Sequence, residues 1–343
     1  MAYSTIDKPN EYFNPVLYTG NEATNVITTG LANDFVWVKA KDSGGVNHYL
    51  FDSVRGVQKN IHSNTNDGEN TEANTLTAFN STGFTLGSDA QVNGSGQPHI
   101  SWNWKAGGTA SSNTDGSITT NASVNTTAGF SIVIYTGTGS NATIGHGLGV
   151  KPDAVFFKRL DTTGGWASYH SVLGATKYMR LDSTSGEQTA TDEFQNTEPT
   201  SSVISIGTDG AVNGTSMVAY CFADVKGFSK FGSYVGNGSS DGTFVYTGFK
   251  PAFVLMKNTV DSGASWQMFD NKRDVDNVAN HRLFPNASSA ESTDADNNID
   301  IISNGFNMRT SNGDTNSNGV TFIYMAFAEN PLVAGNYVPT TAR

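Results

Sequence analysis

Three polar residues stand where chemistry would first be sought. Asp52, His170 and Asp270 each close an aromatic-rich run: Tyr49-Leu50-Phe51-Asp52, Trp166-Ala167-Ser168-Tyr169-His170 and Trp266-Gln267-Met268-Phe269-Asp270. Hydrolysis needs positioned carboxylates, or a nucleophile beside a base. These residues share one place in a repeated pattern but differ in type, which reads as a polar side chain capping a turn at a strand end. The six histidines, His48, His62, His99, His146, His170 and His281, show neither HxH nor HExxH spacing, so no zinc site is expected. Gly137-Thr138-Gly139 lacks the lysine and following helix of a phosphate cradle. Asp314-Thr315-Asn316-Ser317-Asn318-Gly319 matches the front half of a calcium loop, with oxygen ligands at alternate positions before a glycine. Met325 stands where the closing glutamate belongs, and Asp294, Asp296, Asn298 and Asp300 alternate without the glycine. Asn-rich turns have the same composition for backbone reasons. The expectation is no catalytic residue, no metal and no cofactor, with the ligand-binding residues unassigned.

The elements that carry these residues repeat. An apolar run ending on lysine occurs as Asn33-Asp34-Phe35-Val36-Trp37-Val38-Lys39, Lys151-Pro152-Asp153-Ala154-Val155-Phe156-Phe157-Lys158 and Lys250-Pro251-Ala252-Phe253-Val254-Leu255-Met256-Lys257. Each is preceded by a strand ending in Tyr-X-Gly (Tyr18 to Gly20, Tyr135 to Gly137, Tyr234 to Gly236), at spacings of 39 − 18 = 21, 158 − 135 = 23 and 257 − 234 = 23. The polar closers follow the lysines by 52 − 39 = 13, 170 − 158 = 12 and 270 − 257 = 13 positions. An Asn-Gly pair comes next (Asn93-Gly94, Asn213-Gly214, Asn318-Gly319), then a closing apolar strand: Ile100 to Trp104, Val218 to Asp224 and Phe322 to Glu329. Copies one and three share Ser81-Thr82-Gly83-Phe84 and Ser303-Asn304-Gly305-Phe306, a Gly-Phe pair absent from copy two. Landmarks in one order at near-equal spacing indicate a unit written three times.

The composition agrees. With 343 residues, 37 glycines and only 15% charged residues, the chain suits many short strands, and no sustained helical stripe is present. The fold class expected is all-β: three tandem related β-sandwich modules of jelly-roll or lectin-like type. Residues 1–106 are read as an N-terminal arm and the first module, and 107–128 as a Gly/Ser/Thr/Asn-rich linker, unless it lies as an edge strand against a neighbour. Residues 129–226 are read as the second module, and 227–343 as the third with a surface-draped tail from Gly335. Polar loops are expected over 60–74, 184–202 and 286–300. A net charge of -11 disfavours nucleic-acid phosphates and anionic membranes. Cys221, the single cysteine, excludes an intrachain disulfide and reads as a small buried hydrophobe. The first residues lack a basic and an apolar region of the secretory type, and no apolar run is long enough to span a bilayer, so synthesis in a cytosol is expected. Triplets such as Asn121-Ala122-Ser123 and Asn141-Ala142-Thr143 read as loop composition. Trp102, Trp104, Trp166 and Trp266 could stack on sugar faces, but all sit in apolar runs and read as core.

Several words in the chain resemble a family of uncharacterised virion-associated proteins of tailed, especially marine, bacteriophages. They are Tyr135-Thr136-Gly137, Lys250 to Lys257, Ser303 to Phe306, Ile323 to Pro331 and the opening Lys8-Pro9-Asn10-Glu11-Tyr12-Phe13. The resemblance covers nearly the whole chain. It implies a non-enzymatic virion structural protein, tail-fibre or adhesin-like, assembled in a host cytoplasm. The partners it implies are other virion proteins and further copies of the chain as a homo-oligomer, taken as a trimer. A host surface glycan or protein is a further candidate partner, with no nucleic acid and no membrane insertion. Copy one departs from the pattern, with Ala32-Asn33 in place of Lys-Pro. The alternatives are a head decoration protein with no receptor and a carbohydrate-active enzyme of lectin-like fold; the latter predicts a carboxylate pair projecting into one groove.

Overall fold

The computed structural model describes residues 4–333; the tail expected from Gly335 to Arg343 lies outside them. Module 1 contains β1 (Phe13–Thr19), β2 (Asn25–Thr28), β3 (Phe35–Ala40), β4 (Tyr49–Asp52), β5 (Lys59–His62), β6 (Asn70–Thr71), β7 (Leu76–Asn80), β8 (Gly83–Leu86), the one-turn helix α1 (Ala90–Asn93) and β9 (Pro98–Trp104). Module 2 contains β10 (Ser111–Asn113), β11 (Thr120–Asn125), β12 (Phe130–Tyr135), β13 (Ala142–Gly145), β14 (Ala154–Arg159), β15 (Ala167–His170), β16 (Lys177–Tyr178), β17 (Gln188–Thr189), β18 (Val203–Ile206), α2 (Gly210–Asn213) and β19 (Met217–Phe222). Module 3 contains β20 (Ser229–Val235), β21 (Phe244–Tyr246), β22 (Phe249–Asn258), β23 (Gln267–Asp270), β24 (Ile299–Ile302), β25 (Gly305–Met308), α3 (Gly313–Asn316) and β26 (Thr321–Pro331).

Each module is a β-sandwich of one design. Its large sheet has the order first strand, closing strand, lysine-ended strand, polar-closed strand: β1-β9-β3-β4, β12-β19-β14-β15 and β20-β26-β22-β23. A small sheet covers one face: β2-β8-β7, β13-β18 and β21-β25-β24. All these pairings are antiparallel.

The Tyr-X-Gly signature has a local cause. The tyrosine hydroxyl donates to a carbonyl in the one-turn helix: Tyr18 to Val92 at 2.6 Å, Tyr135 to Val212, and Tyr234 to Thr315 at 2.5 Å. The glycine two positions on lies flat against the turn that leaves the helix. A Cβ at Gly20, Gly137 or Gly236 would sit 2.1, 2.3 or 2.2 Å from the carbonyl oxygen of Gly94, Gly214 or Ser317. A buried asparagine ends each helix and spends its amide on the loop after that glycine. These are Asn93, Asn213 and Asn316, so the third member of the asparagine landmark is Asn316 and not Asn318. The look-alike Asn-Gly two positions later misled the spacing.

The lysine-ended strands are apolar on both faces because both faces are covered. In β3, Val36 and Val38 face the small sheet of their own module, while Phe35 and Trp37 point away from it. Val155 and Phe157 against Phe156, and Val254 and Met256 against Phe253 and Leu255, divide in the same manner. The outward faces of the three large sheets meet in one central core. Phe13 and Trp104 from module 1, Phe130, Tyr220 and Phe222 from module 2, and Phe253 and Phe327 from module 3 pack there. Ring centroids lie 4.7 Å apart for Phe13–Trp104, 4.5 Å for Phe35–Tyr220 and 4.8 Å for Phe13–Phe327. The four tryptophans weighed for sugar stacking are buried there.

Two connecting segments take ordered positions, the first of them as the edge strand left open above. The segment 107–128 forms β10 and β11, with β11 paired to β12 from Asn121↔Ile134 to Asn125↔Phe130. Its small polar side chains suit an edge position, where the ladder satisfies the backbone and little apolar surface is required. Residues 4–12 are not a free arm: Ile6 is 2% exposed within the central core, and a 3-10 turn at Pro9–Glu11 leads into β1.

Candidate functional site

The residues singled out for chemistry join modules to one another. Asp52 accepts from the amides of Val54 and Arg55 at 3.1 and 2.8 Å, pairs with the buried Arg55 guanidinium, and accepts from the Tyr220 hydroxyl of module 2 at 2.7 Å. Asp270 accepts from Lys272 and Arg273 amides at 3.0 and 2.9 Å, pairs with Arg273 at 2.6 Å, and accepts from the Trp102 indole of module 1 at 3.2 Å. His170 accepts from the Val172 amide at 3.3 Å through Nδ1, and its Nε2 lies 3.3 Å from the Tyr324 carbonyl of module 3. Each therefore caps a turn and also reaches the closing strand of the next module, in the order 1 to 2, 2 to 3 and 3 to 1.

The long polar loops follow the same cycle. The Glu69 amide donates to Leu160 at 2.8 Å, Glu187 to Thr259 at 2.6 Å and Glu291 to Lys41 at 2.7 Å. The Trp166 indole donates to the His62 carbonyl and the Trp266 indole to the Arg180 carbonyl, both at 2.9 Å. The repeat's terminal lysines lie fully buried at these junctions. Lys158 donates to the Asn66 and Gly164 carbonyls, Lys257 to Thr184 and Asn258, and Lys39 to Ala40 and Ser43. Burial lowers all three ammonium pKa values to about 8.

The other candidates are also engaged. Burial holds His62 and His170 down to about 4, and pushes the Cys221 thiol up to about 12. His281 pairs with Asp274 at 2.6 Å. In the calcium-like stretch, Asn312 caps α3, Asn316 holds its loop, and Asp314 accepts from Gln267 at 3.3 Å. Asp294 pairs with Arg282, and Asp300 with Arg309. Among the described residues, no group of three or more His, Cys, Asp or Glu side chains converges as a metal site.

Among the clefts that remain open, a polar one of about 270 Å³ in module 2 is lined by Arg159, Trp166, Tyr178, Arg180, Glu193 and Asp209 with the Gly164-Gly165 turn. Arg159 at the end of β14 is held by Asp161 at 2.8 and 3.0 Å, and Arg180 by Asp182 at 3.2 and 2.8 Å. The guanidinium of Arg180 packs on Gly165, where a Cβ would lie 1.9 Å from Nη2. Tyr178 donates to Gln188 at 2.6 Å, and Asp209 caps α2 by accepting from the Ala211 amide at 2.7 Å. Glu193 is 7% exposed, accepts a long bond 3.3 Å from the Asp192 amide and lies beside the Tyr178 hydroxyl. Burial raises its pKa, and the neighbouring Asp209 charge raises it further.

The other modules differ at this place. Strand register equates Tyr49, Ala167 and Gln267, which face Val38, Phe157 and Met256. Tyr49 is buried close enough to Glu72 and Asp89 to feel both charges. Gln267 spans from Asp314 at 3.3 Å to Arg282 at 3.2 Å. Asp314 and Arg282 occupy the places of Ala211 and Tyr178, both of which line the cleft. Ala167 is itself fully buried, and a glutamine placed there like Gln267 would point towards Ala211 and Tyr178 in the cleft wall. Of the cleft residues only Trp166 was singled out from the sequence, and it is buried with its ring turned to the core. The signal was Ala167 standing where the sister copies carry Tyr49 and Gln267.

A family model described as a domain of unknown function, DUF7483, matches residues 8–331. No curated protein and no solved structure matches the chain.

Proposed function

We infer, for a chain that belongs to the DUF7483 family, that its work is structural attachment: a virion component of a tailed bacteriophage, tail-fibre or adhesin-like, presenting one ligand-contact cleft. The observation that carries this reading is the fate of the repeat's polar residues. Asp52, His170 and Asp270 are consumed in closing three modules around one core, which makes a rigid displayed body. The family match over 8–331 spans all three modules as one unit. The virion setting draws its support from the resemblance carried by Tyr135-Thr136-Gly137 and Lys250 to Lys257. Partners on this reading are other particle proteins, further copies of the chain and a host surface molecule.

The carbohydrate-active alternative draws on Glu193, whose carboxyl is raised as a general acid requires. Its neighbour Asp209 is committed to a helix cap that Asp89 and Asn312 make in the sister modules, so a carboxylate is not needed there. The non-enzymatic reading is therefore preferred. Mass spectrometry and antibody labelling of purified particles test it. The chain is expected on the particle surface; a chain absent from particles, found only as a free monomer in the lysate, defeats the reading.

A further inference from the structure

The cleft of module 2 offers donors and acceptors in balance. Arg159 and Arg180 each have guanidinium N–H groups beyond those their aspartates use, since the fork carries five. Glu193 and Asp209 are acceptors, and the Arg159 and Arg180 side chains lie across Gly164, Gly165 and Gly210, so the guanidinium groups form that wall of the cleft. By formal charge, two guanidinium groups stand against Asp161, Asp182, Glu193 and Asp209, which leaves 2 − 4 = −2. An anionic ligand is disfavoured. A large apolar ligand finds little matching wall: Trp166 is 1% exposed, and Tyr178 is the partly exposed ring in the lining. The volume lies just below the roughly 300–1,000 Å³ of drug-sized sites and suits one small ring.

Resting on the reading of this cleft as the ligand contact, we propose that it is a recognition site for a single neutral saccharide ring, with Glu193 accepting from hydroxyl groups and Arg180 donating to hydroxyl oxygens. Adjacent sugar hydroxyls act as donor and acceptor together, and this pairing of carboxylate and guanidinium meets both demands. Ala167 stands buried behind the cleft wall. Module 1 carries Tyr49 and module 3 Gln267 at the equivalent place, so only module 2 has a small side chain there.

The test titrates the full chain with neutral hexoses, N-acetylhexosamines, glucosamine and a uronic acid, by saturation-transfer NMR and calorimetry. At least one neutral sugar is expected to bind at about 1 mM or tighter. Glu193→Gln, which keeps the shape, should weaken binding at least ten-fold, and Ala167→Gln, which copies module 3, should abolish it. The proposal is overturned if no neutral sugar binds the native chain better than Ala167→Gln, or if Glu193→Gln binds equally well. It is also overturned if glucosamine binds ten-fold tighter than every neutral sugar and salt removes that binding, since the site then serves a cation. Thermal melting of Ala167→Gln checks the fold; if it is unfolded, Glu193→Gln alone decides. Incorporation of the native chain into particles is scored separately: its absence defeats the virion reading and leaves the sugar site standing or falling on the titration.

Discussion

Asp52 is the sharpest place to test how the modules are joined. Its carboxylate and the Arg55 side chain are 0% and 1% exposed, and the same carboxylate accepts from Tyr220 of the next module. Asp52→Asn keeps the outline but removes the charge that offsets Arg55, and it sets an amide N–H against a guanidinium or a hydroxyl. Breaking one side of a buried pair costs about 3–5 kcal/mol. Glu69 still reaches Arg55 at 3.3 Å, which places the expected loss near the lower end, about 3 kcal/mol. Module 2 manages the same turn with His170 and with Leu173 in the arginine's place. The pair Asp52→His with Arg55→Leu should therefore recover much of the loss, because it removes both buried charges together and leaves neither unpaired. His170→Ala, which removes neutral hydrogen bonds, should cost about 1–2 kcal/mol. Urea unfolding gives the values from shifted midpoints at constant slope. A single substitution within 0.5 kcal/mol of wild type, or a double variant as costly as the sum of its two singles, would refute the reasoning.

Other outcomes follow from the same architecture. Trp104→Ala, in the core shared by three modules, should cost about 3–5 kcal/mol, and the transition should stay single by fluorescence and circular dichroism; separate melting of one module would show the core is not shared. Gly137→Ala drives a Cβ to 2.3 Å from the Gly214 carbonyl and should destabilise by about 1–3 kcal/mol, whereas alanine at Gly44, which has no positive φ and its nearest neighbour 3.8 Å away, should cost less, as thermal melting would register. The buried lysines titrate at about 8 in the folded chain and at 10.5 when exposed. Between those values the unfolded chain holds more protons, so their contribution to stability rises with pH over that window. Urea midpoints at pH 7.5 and 9.5 should show the rise, and Lys158→Met should shrink it.

Much of the fold was legible because its causes are local or periodic. The apolar runs around Val36, Val155 and Val254 follow from sheets covered on both faces, and Tyr-X-Gly follows from a hydroxyl bond and a close backbone approach. What escaped was long-range. The composition of 107–128 left edge strand and linker both open, since ladder bonds depend on a neighbour and not on side-chain type. Asn318-Gly319 outshone Asn316 because a turn pair is conspicuous in sequence, while a buried amide that organises a loop is not. The cyclic order of contacts from Asp52, His170 and Asp270 could not be read, because one position can cap its own turn and bond a distant strand together. The cleft stayed hidden for a related reason: its residues are scattered from Arg159 to Ala211, and no local pattern joins them.

The shared aromatic centre has a consequence for how such a body behaves when scarce. A three-part assembly built from separate subunits comes apart on dilution, because its stability depends on protomer concentration. Here the parts are tethered in a single polypeptide, so the association is unimolecular and persists in one lone molecule. Covalent linkage also frees each part from identity with its siblings. One lobe can carry a hollow of its own while the other two keep the whole in shape.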